Sequence, residues 1–186
     1  MRIIAGEFSS RRIETRSGSE TRPTLDKVRE AVFSSLGGMF DGGCCLDLYA
    51  GSGAVGLEAL SRGYSMAVFT DVSREAMTSI KKNIESLHVS DRCRTLNMKD
   101  MKALEILSSE NAVFDLVYLD PPYKKEHNKE ILEYLDQHNM IRKGGMAVIE
   151  SLKEDCFSQD CGNLKFIKQK IYGISKITYY RAEESY

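Results

Sequence analysis

No stretch of this chain approaches the ~18 apolar residues of a membrane span, and Arg2 is not followed by the long apolar run of a secretion signal. A soluble cytoplasmic protein is expected. The five cysteines, Cys44, Cys45, Cys93, Cys156 and Cys161, are odd in number and lack CxxC spacing. That excludes a disulfide framework and a zinc ribbon, and fits thiols kept reduced in a cytosol. His88, His127 and His138 are scattered through polar stretches, so neither a metal site nor a histidine base is expected. Internal repeats and low-complexity tracts are absent. The net charge of −1 carries no polyelectrolyte signature, yet its distribution is uneven. Residues 1–29 hold seven basic residues against four acidic ones, a local +3, so the remainder carries −4. Such asymmetry points either to a local contact with a polyanion or to a solvated charged arm.

What is present is a regular alternation of short apolar runs and amphipathic segments. Residues 2–13 and the polar stretch 15–21 read as an extended arm or hairpin. Thr24 then opens a helix with Leu25, Val28, Val32 and Leu36 at helical spacing. Strands are expected at Cys44–Tyr49, Met66–Thr70, Cys93–Leu96, a run ending at Leu119, and Met146–Glu150. Between them lie helices beginning near Ala54, Arg74, Asp100 and Lys129. The second of these carries Met77, Ile80, Ile84 and Leu87 on one face, a core stripe. Alternation of this kind implies a parallel sheet with right-handed crossovers. The tail departs from it: Leu164–Ile171 and Ile174–Tyr180 flank Tyr172-Gly173 closely enough to form an antiparallel pair. With 186 residues a single domain is expected, with residues 1–23 as an arm and 24–186 as the core.

Two motifs carry chemistry. In the first, Asp47-Leu48-Tyr49-Ala50-Gly51-Ser52-Gly53 runs from a strand into a glycine turn and a helix start. Glycines at 51 and 53 permit positive φ and close backbone approach, and the following helix aims free N–H groups at the same spot. Gly51-x-Gly53-x-x-Gly56 with Asp71 about 20 residues on also fits a dinucleotide fingerprint. Asp47 favours S-adenosylmethionine over NAD, because a carboxylate there suits a sulfonium or an amino group and repels a pyrophosphate. A purely structural role, capping the glycine loop, is compatible with it.

The second motif is Asp120-Pro121-Pro122-Tyr123, which stops the apolar run 113–119. Each proline has a fixed φ and no N–H, and the residue before a proline is held extended. The turn is therefore stiff. It can present the Asp120 carboxylate and the Pro121 carbonyl to one amino group while Tyr123 offers a ring for stacking. The bland alternative is a proline-terminated strand with a solvated aspartate. Together the motifs look like the cofactor and catalytic motifs of amino-group methyltransferases.

From end to end the chain resembles the RsmD-type methyltransferases, which modify the exocyclic amine of a guanine in bacterial 16S ribosomal RNA. The resemblance runs through Arg2-Ile3-Ile4-Ala5-Gly6-Glu7, through Arg22-Pro23-Thr24 with Asp26-Lys27-Val28-Arg29-Glu30-Ala31-Val32-Phe33, through both motifs, and through Lys170-Ile171-Tyr172-Gly173. It departs at Ser9-Ser10-Arg11-Arg12, where Lys or Gly is expected before the arginines, and at Phe69-Thr70-Asp71-Val72, where a more acidic strand end is usual.

The resemblance implies a Rossmann-like class I α/β fold. Its features are a seven-stranded, mostly parallel sheet, a C-terminal antiparallel hairpin, helices on both faces and an N-terminal arm. In that topology strands one and four are neighbours, so the two motifs would share one crevice. It also implies S-adenosylmethionine as cofactor, held by Asp47, Tyr49, Gly51, Gly53, Asp71 (ribose) and Asp100 (adenine amine). Asp120, Pro121 and Tyr123 are the expected catalytic residues, and Arg11, Arg12, Arg22, Arg29 and Lys124 the expected RNA contacts, with a structural ion-pair role beside the following helix as the alternative for Arg22 and Arg29. The expected partner is 16S rRNA or an assembling small subunit, met by a monomer without metal or membrane. A DNA adenine-N6 or other amino-group methyltransferase, and more remotely an NAD oxidoreductase, are the alternatives.

Overall fold

The chain's apolar runs fall into strands and its amphipathic segments into helices in strict alternation up to residue 152. The elements of the computed structural model are α1 (Pro23–Leu36), β1 (Cys44–Asp47), α2 (Ala54–Ser61), β2 (Met66–Thr70), α3 (Arg74–Ser86), β3 (Cys93–Leu96), α4 (Asp100–Ser109), β4 (Phe114–Leu119), α5 (Lys125–Gln137), β5 (Ile141–Leu152), β6 (Leu164–Tyr172) and β7 (Ser175–Ala182). The structure describes residues 1–15, 23–122, 125–155 and 159–183. These residues form a seven-stranded mixed sheet with helices around it and an antiparallel hairpin at its C-terminal end. Two compact units divide the chain, Met1–Asp100 and Met101–Tyr186. No described helix is long and apolar enough to cross a membrane.

In the first unit β2 pairs in parallel with both β1 and β3, with Asp47 opposite Phe69 and Thr70 opposite Leu96. The predicted stripe on α3 holds: Met77, Ile80, Ile84 and Leu87 are all buried. They pack with Leu57 and Leu60 of α2 and with Ile3, Phe8 and Ile13 of the N-terminal segment. That segment is a hairpin. Arg2 bridges Arg12, Ile3 N–H donates to Arg11 O at 3.0 Å, and Ser10 N–H donates to Ile3 O at 2.9 Å. Its apolar residues lie in the core of the unit while Arg11 and Arg12 remain exposed.

A buried carboxylate fastens the hairpin. Glu58, on the otherwise apolar α2, accepts the N–H groups of Ile4 at 2.9 Å and Ala5 at 3.1 Å. The same carboxylate pairs with Arg29 at 3.3 Å and Arg62 at 2.7 Å. All three side chains are buried. Such a cluster contributes little net stability when complete, but removing one partner costs about 3–5 kcal/mol because a charge is left uncompensated.

In the second unit β4 runs parallel to β5, β5 antiparallel to β7, and β7 antiparallel to β6. Strand β5 is longer than the expected Met146–Glu150. Phe114 pairs with Ile141 across a register shift, so the polar segment 142–145, Arg-Lys-Gly-Gly, lies within the strand rather than before it. Strand β1 is correspondingly shorter than Cys44–Tyr49, because Leu48 and Tyr49 already turn into the glycine loop.

Candidate cofactor and catalytic sites

The carboxyl ends of β1, β2 and β3 place three acidic side chains around the glycine loop of the first unit. The loop leaves β1 at Asp47 and enters α2 at Ala54, with Gly51 at φ 58° and Gly53 at φ 81°. Both angles lie in the left-handed region that glycine adopts without a steric penalty. A Cβ on Gly51 would meet nothing within 4 Å, so the loop there faces open space. A Cβ on Gly56 would lie 2.3 Å from the Phe69 ring. The third glycine therefore serves close packing of α2 on β2, as that position does in nucleotide-binding turns.

Asp47 is buried, and its Oδ2 accepts the Gly56 N–H at 3.0 Å. Burial pushes its carboxyl up to about 7. The Gly56 N–H pulls it down, and the neighbouring Asp71 charge raises it again. The capping role foreseen for Asp47 is thus realised. An acceptor already occupies the Gly56 N–H in the first turn of α2, where a dinucleotide's pyrophosphate would otherwise bind.

Asp71, one residue beyond β2, has both oxygens engaged by the backbone: Oδ2 accepts Gly51 N–H at 2.9 Å and Oδ1 accepts Ser73 N–H at 2.8 Å. The carboxylate is locked in one orientation beside the loop, and each oxygen keeps a lone pair for a further donor. Asp100, at the first position of α4, accepts the Tyr49 hydroxyl at 2.7 Å. That bond joins the loop after β1 to the segment after β3. The donor set suits S-adenosylmethionine. Gly51 leaves room for close backbone approach, and the Asp71 and Asp100 carboxylates are acceptors of the kind that the hydroxyl and amino groups of that cofactor require.

Asn83 was not anticipated as a site residue. Its amide Nδ2 donates to Ser52 O and to Glu14 O, both at 2.9 Å, and its Oδ1 accepts Glu14 N–H at 2.8 Å. It ties the glycine loop to the end of the N-terminal hairpin. The signal lay in the sequence, since Asn83 interrupts the apolar face of α3 between Ile80 and Ile84.

In the second unit Asp120 and Pro121 leave the end of β4, whose Leu116, Val117, Tyr118 and Leu119 are buried. Asp120 itself is exposed and Pro121 half-buried. The packed strand before it and the two prolines after it restrict the backbone on both sides of this carboxylate. Tyr118, two residues earlier, donates its hydroxyl to Glu150 Oε2 at 3.1 Å. This contact joins the ends of β4 and β5 and was also not foreseen. Tyr123 and Lys124 lie outside the described residues.

Of the residues expected to meet RNA, Arg11 and Arg12 are exposed, and Arg11 also donates to Ser86 O at 2.9 Å. Arg22 lies outside the described residues. Arg29 is placed differently: it is buried, paired with Glu58 and with Asp26 at 3.1 Å, and it donates to the Arg2 carbonyl. Its surroundings are those of a structural ion pair, because Nε and Nη2 of its guanidinium both bond within the protein.

Comparison with known proteins identifies the family. Residues 1–181 match the family model described as Conserved hypothetical protein 95. YlbH of Bacillus subtilis (strain 168), named for an inferred rRNA methyltransferase activity, is 34% identical over 181 residues, covering 97% of this chain and 98% of that protein. The Ribosomal RNA small subunit methyltransferase D of Escherichia coli (strain K12) is 28% identical over 183 residues, covering 98% and 90%. The solved structure of yhhF from Escherichia coli, described as an inferred methyltransferase, superposes with a TM-score of 0.83 at 28% identity over 100% of this chain and 99% of that one. The chain thus belongs to the Conserved hypothetical protein 95 family, the RsmD-type class I methyltransferases, whose cofactor is S-adenosylmethionine.

Proposed function

We propose that this protein methylates the exocyclic N2 amine of a guanine in 16S ribosomal RNA of the small subunit. The observation that carries the reading is the exposed Asp120 carboxylate on the proline-stiffened end of β4, in a chain related over nearly its whole length to small-subunit rRNA methyltransferases. When bound, S-adenosylmethionine supplies an electrophilic methyl on a sulfonium.

The work left to the chain is dictated by the amine. Its lone pair is delocalised into the guanine ring, so the nitrogen is a poor nucleophile until the site localises that pair. Asp120 and the Pro121 carbonyl would each accept one N–H of the amino group. Two acceptors draw the nitrogen toward tetrahedral geometry and stabilise the positive charge that grows as the methyl arrives. A preorganised group of this kind contributes about 10²–10³ in rate. After transfer, the surplus proton leaves through the hydrogen bond to Asp120 or to water. Tyr123 would stack on the extruded base, worth roughly 1–3 kcal/mol. Asp71 would fix the ribose and Asp100 the adenine amine, while Asn83, through Ser52, keeps the glycine loop in its cofactor-ready shape.

The test uses small-subunit RNA from a strain lacking the gene. The purified protein and labelled S-adenosylmethionine should place one methyl on one guanine. A transcript with inosine at that nucleotide lacks the amine and should accept none. Methyl transfer to the inosine transcript, or to adenine, would overturn the assignment.

A further inference from the structure

The C-terminal hairpin carries a charge pattern that the chemistry above does not use. Residues 164–182 contain five cations, Lys165, Lys168, Lys170, Lys176 and Arg181, and no acidic residue, in a chain of net charge −1. In an antiparallel pair, residues directly opposite one another project from the same face of the sheet. Lys165 pairs with Arg181, Lys168 with Tyr179 and Lys170 with Ile177. Arg181, Tyr179 and Ile177 alternate along β7 and so share one face. Four of the five cations therefore project from that face and only Lys176, opposite Ile171, from the other. Two contacts agree with the alternation. Lys168 Nζ lies 5.0 Å from the centre of the Tyr179 ring, and Gln169 donates to the Thr178 hydroxyl at 3.2 Å on the opposite face.

A register shift produces this alignment. Between Phe166 and Lys168 one residue, Ile167, is inserted into β6. Without it Lys165 would share a face with Gln169 and Ile171. With it Lys165 joins Lys168 and Lys170, which is how a bulge re-aims side chains. The hairpin also lies at a telling place within its unit. Leu119 pairs with Ile149, Ile149 with Thr178 and Thr178 with Gln169. The next row toward the carboxyl end of β4 holds Glu150, Ile177 and Lys170, level with Asp120. Three strand spacings separate β4 from β6, about 14 Å. The ladder thus begins beside the catalytic turn and runs down the edge strand.

We propose that the Lys165, Lys168, Lys170 and Arg181 face binds the phosphate backbone of the RNA segment flanking the target guanine, a proposal that rests on the RNA methyltransferase reading. The need for such a surface follows from the turn itself. Asp120 and Glu150 present negative charge where a polyanion must approach, and cations beginning about 14 Å away across the sheet draw the flanking backbone past that repulsion. Lysines on an edge strand also guard against strand pairing. That duty requires neither a shared face nor an acid-free hairpin. Asp160 pairs with Lys165 at 3.4 Å, an exposed contact worth little.

The experiment measures binding of in-vitro-transcribed 16S RNA by anisotropy across a salt series, using wild type, K165A/K168A/K170A, the triple Lys→Arg variant and Lys176→Ala. The triple alanine variant should bind roughly 10–100-fold more weakly at low salt. Its slope of log affinity against log salt should be shallower by about 2, at about 0.7 for each single-strand phosphate no longer neutralised. S-adenosylhomocysteine affinity should be unchanged in it and the fold retained, with the melting temperature lowered only by loss of the Lys168 contact over the Tyr179 ring. Triple arginine should restore the slope, and Lys176→Ala should leave it nearly intact. An unchanged slope in a triple variant whose wild type binds RNA would overturn the ladder while leaving the enzyme assignment standing. Self-association with an unchanged slope would overturn it in favour of an edge guard. An equal loss in Lys176→Ala would overturn it in favour of undirected charge. A wild type that neither binds nor methylates RNA would overturn the enzyme reading first.

Discussion

Replacing Asp47 by Asn tests whether the cofactor loop is built at a cost to stability. The carboxyl is buried and its pKa lies at about 7 against an ordinary 3.8. For an acid raised in the folded state, the native protein holds a proton that the unfolded chain has already released. Stability then falls as pH rises from 3.8 through about 7 and levels off above that. Between pH 5 and pH 7 the difference spans two pH units at about 1.36 kcal/mol each. Wild type should therefore lose roughly 2–3 kcal/mol across that interval from this group alone. Asparagine keeps an oxygen for the Gly56 N–H but cannot ionise, so its unfolding free energy should lack this component. Urea unfolding at pH 5, 6, 7 and 8 reads the effect directly, with the variant gaining on wild type as pH rises. The same substitution removes the negative charge offered to a cationic cofactor, so S-adenosylmethionine should bind more weakly at pH 8. If the two stability profiles run parallel from pH 5 to 8, Asp47 is ionised throughout and the start of α2 offsets its burial, which refutes the reasoning.

Asp120→Asn should cut single-turnover methylation at least about 10²-fold with S-adenosylhomocysteine affinity nearly unchanged, and a loss under about tenfold removes Asp120 from the chemistry. Asp71→Ala should weaken S-adenosylhomocysteine by roughly 1.5–3 kcal/mol in calorimetry. Because Asp71 also holds the Gly51 and Ser73 amides, the melting temperature should fall as well, and an unchanged melting temperature would show that those bonds are dispensable. Replacing Arg11 and Arg12 together by Ala should weaken RNA binding and reduce its salt slope by about 0.7 for each single-strand phosphate that the arginines neutralise. Cofactor affinity should not move, and an unchanged slope would reduce the exposed hairpin arginines to solvation.

The elements were legible in the sequence where local pattern decides them. The apolar stripe of α3, the glycine turn after β1 and the proline stop after β4 each follow from side-chain periodicity or backbone restriction within a few residues. Strand β5 was read too short because Ile141 pairs with Phe114 ahead of an irregularity, with Gly144 at φ 77°, that the polar composition of 142–145 does not reveal. Arg29 was misplaced for a similar reason. A cation in a basic segment looks like an RNA contact until the fold brings Glu58, 29 residues on, against it. The clue was the lone acid in an apolar helix with Arg62 one turn away, a pattern that demands a buried partner. Asn83 and Tyr118 escaped because their partners lie on other elements, and only tertiary structure pairs them.

The fastening of the N-terminal hairpin by Glu58 has a consequence for biosynthesis. Ile4 and Ala5 are made before their hydrogen-bond partner, which follows 54 and 53 residues later. At ~5–20 residues per second the opening segment waits on the order of 3–10 seconds before its acceptor exists. Throughout that interval Ile3 and Phe8 lack the helix that buries them. The hairpin thus cannot complete its native contacts until α2 has been made. Slowing translation between the hairpin and α2 lengthens that exposure, and it does so without altering a single bond in the finished molecule.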